Sequence, residues 1–421
     1  MVFPRKRILT RAGHGVAPFA RLGQPSSSGD SARLPGRGPH GTSRPAAMEI
    51  GFDAKRAFHN ATGLGNYARD VLRILVRNAP QHRYWAYTPA GGRQPFSLDG
   101  DRFRVRTPAG ILGRALPAVW RQRGIVRDLK RDGIRLFHGL SHELPLGIER
   151  SGIASVVTIH DLIFERFPEL YSAVDRRIYA WKCRSAAARA DLVVAVSEQT
   201  RRDLVERYGV PAAKIRVVYQ GCHPAMQAPV PPDALAEVSR RLALPPRFLL
   251  SVGTVERRKN LLLAVRALAD LPGVPLVVVG RETPYAREVR ALVRARGLED
   301  RVRFLSGLAM PEIAALYRLA TALVYPSRFE GFGIPIIEAL FSGTPVVTTR
   351  GGCFAEAGGP GSEYVDPDDP GELRAVLGAL WDDEARRQRM REAGRAWAER
   401  FRDEAIAREL LAAYADAARS R

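Results

Sequence analysis

Cysteine is scarce in this chain: three in 421 residues, Cys183, Cys222 and Cys353, far apart and without paired spacing. That spacing excludes a disulfide framework and the paired-cysteine zinc sites, and it fits a reducing compartment. Long apolar runs are also missing. The most apolar stretch, residues 261–279, is broken by Arg266, Asp270 and Pro272, short of the roughly 18 apolar residues a membrane span takes. The expectation is a cytoplasmic protein, soluble or peripheral at the inner face of a membrane. Acids are in deficit, 44 Asp and Glu against 65 Lys and Arg, for a formal charge of +21. Such a balance suits an anionic partner, but arginines scattered along the whole length read mainly as a solvated surface. Aromatics form 8% of the chain, with no stacking platform and no recognition motif, so a basic nucleic-acid-binding protein explains the charge and nothing else.

What is present is enough apolar residue, 46%, to fill two cores. Residues 1–47 contribute to neither. They hold eight Arg or Lys, one acid and many Pro, Gly and Ser, with no period of 2 or 3.6; they read as a disordered or non-native leader, with Met48 as a candidate translation start. From residue 48 onward, short β-branched runs alternate with longer amphipathic segments, the pattern of βαβ units around parallel sheets. Seven strands are expected in the first half, at 49–52, 84–87, 103–106, 136–138, 155–159, 192–196 and 215–219. Five are expected in the second, at 248–252, 276–279, 302–305, 322–325 and 345–348. Pro229, Pro231 and Pro232, then Pro245 and Pro246, flank a short helical stretch and mark a linker. The reading is two Rossmann-like doubly wound domains facing across a cleft, residues 48–235 and 236–395. Residues 396–421 form the end of a long helix, from about 387 to 419, that packs back across the junction.

In open α/β sheets ligands sit beyond the carboxyl ends of the strands, and the chemistry-bearing strings fall there. Residues 325–340 read Tyr-Pro-Ser-Arg-Phe-Glu-Gly-Phe-Gly-Ile-Pro-Ile-Ile-Glu-Ala-Leu: a strand end, a glycine loop and a helix. Pro335 suits a first helical turn, so the amides of Gly331, Phe332, Gly333 and Ile334 and the positive helix end can face an anion. Glu338 is expected in that first turn and Glu330 on the loop, both opening to one mouth. A carboxylate beside a phosphate is repulsive, so their task is to accept hydrogen bonds from ribose or sugar hydroxyls. Residues 256–259, Glu-Arg-Arg-Lys, end the first strand of the second half; three successive cations there invite a diphosphate.

With these two strings together, the chain resembles the retaining GT-B glycosyltransferases of glycosyltransferase family 4, over about residue 48 to the C-terminus. The family's pattern of Glu, seven residues, Glu corresponds to Glu330 and Glu338, and its basic diphosphate clamp to Arg258 and Lys259. The resemblance implies that Glu330 contacts the donor sugar and Glu338 the nucleotide ribose. Residues 62–67, Thr-Gly-Leu-Gly-Asn-Tyr, look like the family's glycine loop, with Gly63 and Gly65 allowing close approach to the donor. Gly63, Gly65 and Ala68 also fit G-x-G-x-x-A, which keeps an NAD-dependent oxidoreductase as an alternative; against it, the loop does not follow its strand directly and no acid ends the second strand.

His160 and Asp161 close an apolar strand where the family has an active-site histidine. The resemblance implies that His160 donates a hydrogen bond to the transferring sugar, with Asp161 orienting it or touching the acceptor; His138 and His142 are weaker acceptor or orienting candidates. No metal and no separate cofactor is expected: Asp366 and Asp368 imitate a metal motif but sit in a proline-rich turn. No carboxylate of the first half is placed as a covalent nucleophile, so the implied mechanism is a front-face, dissociative transfer in which Arg258, Lys259 and the loop amides meet the leaving charge. The implied donor is a GDP or UDP sugar, leaning to mannose, and the implied acceptor a saccharide or lipid-linked saccharide of surface polysaccharide synthesis. Residues 116–123, continuing to Lys130 and Arg131, mix apolar and basic side chains and are the candidate contact with anionic lipid.

Overall fold

The computed structural model describes residues 47–421 apart from residues 93, 95 and 99; the expected leader, residue 47 excepted, lies outside the described residues. Seven strands form the first sheet: β1 (Glu49–Asp53), β2 (Arg83–Tyr87), β3 (Phe103–Arg106), β4 (Leu136–Gly139), β5 (Ala154–Ile159), β6 (Leu192–Ala195) and β7 (Ile215–Val217). They lie in the order β3-β2-β1-β4-β5-β6-β7. The second sheet holds β8 (Leu249–Val252), β9 (Leu276–Val279), β10 (Val302–Leu305), β11 (Ala322–Tyr325), β12 (Val346–Thr349) and β13 (Glu363–Val365), ordered β10-β9-β8-β11-β12-β13. Every pairing is parallel. Helices cover both faces of such sheets, so central strands are apolar throughout rather than alternating; β5, β9 and β11 are buried at every position. At the edge, β3 exposes Arg104 and Arg106, whose guanidinium groups lie 5.1 and 4.9 Å from the Trp85 ring.

The short strand β13 was not among the twelve expected, since three residues at a sheet edge carry too little pattern. The expected boundary at residue 235 falls inside the helix Pro232–Arg241, which packs on the helix Met310–Leu319. Cys222 and Met226, just after β7, already belong to the second core, so the second half begins packing well before residue 236. The single long helix expected at 387–419 is two. The helix Glu384–Ala398 stays on the second half against the helix Ile334–Phe341. A 3-10 turn, Glu399–Phe401, and an extended Arg402 (φ −67°, ψ 153°) then break it. The helix Asp403–Arg419 returns to the first half, where Ile406, Leu410, Ala413, Tyr414 and Ala417 pack with the helix Gly63–Asn78. Burying Ile406 and Leu410 alone contributes roughly 3–6 kcal/mol.

Candidate functional site

The carboxyl ends of β1, β5 and β7 face those of β8, β9 and β11 across one cleft of about 570 Å³. Among the residues singled out from the sequence, Gly63, His160 and Asp161 line it from the first half. Arg258, Lys259, Glu330, Gly331, Phe332, Gly333, Ile334 and Glu338 line it from the second.

Glu330 is the most densely bonded of these. Its Oε1 lies 2.6 Å from Lys259 Nζ and accepts hydrogen bonds from Tyr325 Oη at 2.8 Å and Ser327 Oγ at 2.7 Å. Its Oε2 lies 2.7 Å from Arg258 Nη1. Burial alone raises a carboxyl pKa, but Lys259 and Arg258 more than reverse this, to about 2. Arg258 also donates to Glu256 at 2.6 Å. The basic strand end is therefore matched, two cations against two carboxylates. Of the three successive cations expected to invite a diphosphate, two reach the cleft and are paired, because charges this close and this dry pair with each other. Arg257 turns away, 2.5 Å from Glu288, and Arg281 joins the cleft from the end of β9.

Gly333 caps the helix Ile334–Phe341 and Pro335 sits in its first turn, so the loop amides stand at the positive helix end. Glu338 lies one turn further in than expected; the first turn holds no acid. Its Oε2 accepts from Tyr317 Oη at 2.8 Å, and burial, only partly offset by that hydroxyl, raises its pKa to about 7. Gly331 lets the two halves approach closely: a Cβ there would stand 2.3 Å from the carbonyl oxygen of His160.

On the first-half side the structure corrects three expectations. His160 lines the cleft, but its ring nitrogens are both engaged, Nε2 with the Leu140 carbonyl at 2.9 Å and Nδ1 with Gln220 Nε2 at 3.1 Å. The carbonyl can only accept, so Nε2 carries the proton and Nδ1 receives the Gln220 amide. The N–H expected to reach a sugar is thus already bonded, and burial followed by the nearby His142 holds the ring well below its ordinary pKa, neutral. His138 is fully buried between Tyr414 Oη (2.7 Å) and Thr158 Oγ1 (2.8 Å). It ties the helix Asp403–Arg419 to the first sheet and does not line the cleft, since a histidine in the body of a parallel strand faces helices, not the strand's end. Gly63 and Gly65 form the first turn of a helix rather than an open loop. Gly65 faces inward, where a Cβ would stand 1.8 Å from the Asn60 carbonyl.

His142 Nε2 accepts the hydrogen bond of the His160 amide at 2.7 Å, and Asp161 accepts from the Ile163 amide at 3.1 Å. The segment expected to meet lipid is partly interior: Trp120 is buried on Asp128, and Arg121 is held by Asp53 and Glu143. Residues the sequence did not single out are Gln220, Tyr317 and Arg281. Gln220 and Arg281 follow strands β7 and β9, so the strand-end rule points at them; nothing local marks Tyr317.

Two parallel doubly wound halves with a cleft between their carboxyl ends, carrying this loop and these cations, define a glycosyltransferase of the GT-B fold. The chain matches the family "Glycosyl transferases group 1" over residues 237–397 and "Glycosyltransferase Family 4" over residues 61–225. It is 30% identical over 288 residues to the O-antigen chain mannosyltransferase B of Escherichia coli, covering 67% of this chain and 74% of that protein. It is 36% identical over 245 residues to a D-inositol 3-phosphate glycosyltransferase of Xylanimonas cellulosilytica, covering 56% and 59%. In fold it is similar to HepE of Anabaena in complex with UDP and glucose (TM-score 0.66, 20% identity, 87% of this chain and 98% of that one). It is equally similar to a sucrose-phosphate synthase of Thermosynechococcus elongatus (TM-score 0.68, 23% identity, with the same coverage). The chain belongs to the family 4 glycosyltransferases. The oxidoreductase and nucleic-acid-binding alternatives find no support in these relatives. Among the described residues, no helix is long and apolar enough to cross a membrane.

Proposed function

We propose that the protein transfers a hexose, with mannose favoured, from a nucleoside diphosphate sugar to a saccharide or lipid-linked saccharide acceptor, with retention and without a metal or other cofactor. The mannosyltransferases among its relatives support the sugar, and HepE's UDP complex supports the donor class. The observation that carries the reading is Glu330, buried at the cleft between Arg258 and Lys259 beside the open end of the helix Ile334–Phe341. A diphosphate entering there draws the two cations onto its oxygens and releases Glu330 to accept hydrogen bonds from the sugar hydroxyls. Glu338, one turn along the same helix, takes the ribose hydroxyls. As the sugar–phosphate bond lengthens, negative charge grows on the β-phosphate and is met by Arg258, Lys259 and the amides of Gly331, Phe332, Gly333 and Ile334, in place of a divalent ion.

His160, a neutral imidazole held by Leu140 and Gln220, forms the wall of the cleft beside the sugar and donates nothing to it, with Asp161 toward the acceptor. We place the work in the cytoplasm, at the inner face of a membrane. The test is thermal unfolding with GDP, UDP, ADP, dTDP and NAD, since a ligand at about 100 times its Kd adds roughly 2.7 kcal/mol. One nucleoside diphosphate raises the midpoint and Lys259→Ala removes the effect; a response to NAD alone, or to none, overturns the reading.

A further inference from the structure

One helix of the first half is turned inside out. In the helix Ala173–Arg189 the inward side is Cys183, Ala186 and Ala187, all small, while Val174, Ile178 and Trp181 are 67%, 43% and 57% exposed. Leu170, just before the helix, is 37% exposed. Positions 170, 174, 178 and 181 are spaced four, four and three apart, which lines them along one face. A run of large apolar side chains on the outside, rimmed by polar ones, marks an interaction surface rather than ordinary exposure.

The rim is basic. Arg177 and Arg184, exposed and seven residues apart, follow Val174 and Trp181 by three positions on the same flank; Arg184 also reaches Glu165 at 3.4 Å and lies 4.5 Å from the Tyr208 ring, while its side chain stays 59% exposed. The helix contains five cations and one acid, Asp175, and that acid is engaged at the helix start with Ser172 at 2.7 Å. On the other flank Lys182 binds Glu143 at 3.0 Å. Glu143 also holds Arg121, two residues past Val119, which with Leu116 is more than half exposed. The surface also begins at the cleft: Asp161 lines the cleft, and Phe167 packs on Phe329 with ring centroids 5.8 Å apart, next to Glu330. Three residues later the chain reaches Leu170.

We propose that this face docks the enzyme on an anionic lipid bilayer, with Leu170, Val174, Ile178 and Trp181 seated at the headgroup boundary and Arg177 and Arg184 on lipid phosphates. The charge selects the occupant: an apolar stripe with tryptophan and an arginine rim is the pattern of an interfacial helix, while a second copy would bring arginine against arginine. The proposal rests on the reading that the enzyme works at a membrane face, and it sets the cleft mouth beside the lipid surface.

The experiment is co-sedimentation of the full chain with phosphatidylcholine vesicles and with vesicles that also contain phosphatidylglycerol, read beside melting temperature and nucleoside diphosphate affinity. The chain binds the anionic vesicles and is released by salt. Ile178→Ser with Trp181→Ser lowers the partition coefficient at least about tenfold, and Arg177→Glu lowers it by roughly fivefold or more. These three positions are exposed and unpaired among the described residues, so melting temperature and nucleotide affinity stay at the wild-type values; a loss of nucleotide binding in the wild type would instead strike the donor site. Equal binding to neutral vesicles, binding unchanged in both variants, or no vesicle binding with a dimer that the variants dissolve each overturns the proposal.

Discussion

Replacing Glu330 by glutamine keeps its shape and removes its charge, and the structure makes an unusual demand of that variant. The carboxylate neutralises Arg258 and Lys259 at 2.7 and 2.6 Å, with its side chain only 11% exposed. Its pKa falls from 4.5 to about 2, a depression that corresponds to about 3 kcal/mol of folding stability. This sits within the roughly 3–5 kcal/mol seen when one partner of a buried pair is removed. A depressed carboxyl pKa stabilises above the unfolded-state value, and that stability is lost as pH falls from 4.5 towards 2.

Glu330→Gln therefore unfolds more easily without ligand at neutral pH, by about 2–3 kcal/mol after allowing for the amide's remaining hydrogen bonds. The same two cations, now short of an anion, bind a nucleoside diphosphate more tightly than the wild type, by about tenfold to a hundredfold, because the phosphates no longer compete with a carboxylate. Sugar transfer falls by at least about a thousandfold. Titration calorimetry with the nucleotide that stabilises the wild type gives the affinity, and thermal unfolding gives the stability. A variant that binds the nucleotide no more tightly than wild type refutes the view that Glu330 and the diphosphate share the clamp.

The other predictions follow from single geometries. Glu338 has its pKa raised from 4.5 to about 7 by burial, so the folded state holds a proton the unfolded state has lost, and stability falls as pH rises from 4.5 through 7. Glu338→Gln flattens that slope in thermal unfolding and is the more stable form at pH 8, by about 1–3 kcal/mol; a parallel pH profile for the two forms argues against a protonated Glu338. Gly331→Ala drives a Cβ toward the His160 carbonyl at 2.3 Å and lowers kcat at least about a hundredfold, since misplacing the reacting groups by about 1 Å costs that much; wild-type turnover would mean the halves do not work in this arrangement. Gln220→Ala frees His160 Nδ1 and lowers kcat about tenfold while nucleotide affinity stays put, and Gln220→Glu, still reaching the ring but unable to donate, does not restore it. A change in Kd alone would assign Gln220 to binding instead of positioning.

Much of this was readable because it is local. The string at 325–340 contains its own strand end, glycines, proline and carboxylates, so one stretch of chain specifies a strand, a turn and a helix mouth together. The alternation of buried strands with amphipathic helices is equally local, and it gives two parallel sheets. The unread parts are set by contacts between distant residues. Arg258 and Glu330 are 72 positions apart, and a sequence shows both charges without showing that they neutralise each other. The break at 399–402 has no Gly or Pro to announce it; it follows from Phe401, fully buried against Tyr219 and Phe332 with centroids 5.6 and 5.5 Å away. His160 looked like a proton donor because its position was visible and its partners, Leu140 and Gln220, were not.

The contacts between the halves bear on what the catalytic arrangement requires. Glu356, from the second half, accepts the backbone amides of Glu198 and Gln199 at 2.6 and 3.1 Å, at the first turn of the helix Glu198–Tyr208, a place where a carboxylate also meets the positive helix end. Arg166 lies 5.2 Å from the Phe329 ring, which also touches Phe167. Thr200 holds the His160 carbonyl at 3.0 Å, the same oxygen that faces Gly331. These contacts lie beside the cleft, and they are joined by an apolar contact between the halves, where Tyr219 stacks on Phe332 at 5.4 Å and Cys222 and Met226 pack in the second core. Separating the halves would leave both sheets intact but expose that apolar contact, remove Gly331 from His160 and open the site to water. The helix Asp403–Arg419 would stay with the first half, held by the Arg73–Asp403 and Arg216–Asp416 ion pairs and by the Tyr414 hydroxyl on His138. The catalytic arrangement thus depends both on polar contacts beside the cleft and on the apolar packing of Tyr219, Phe332 and Phe401 that joins the halves.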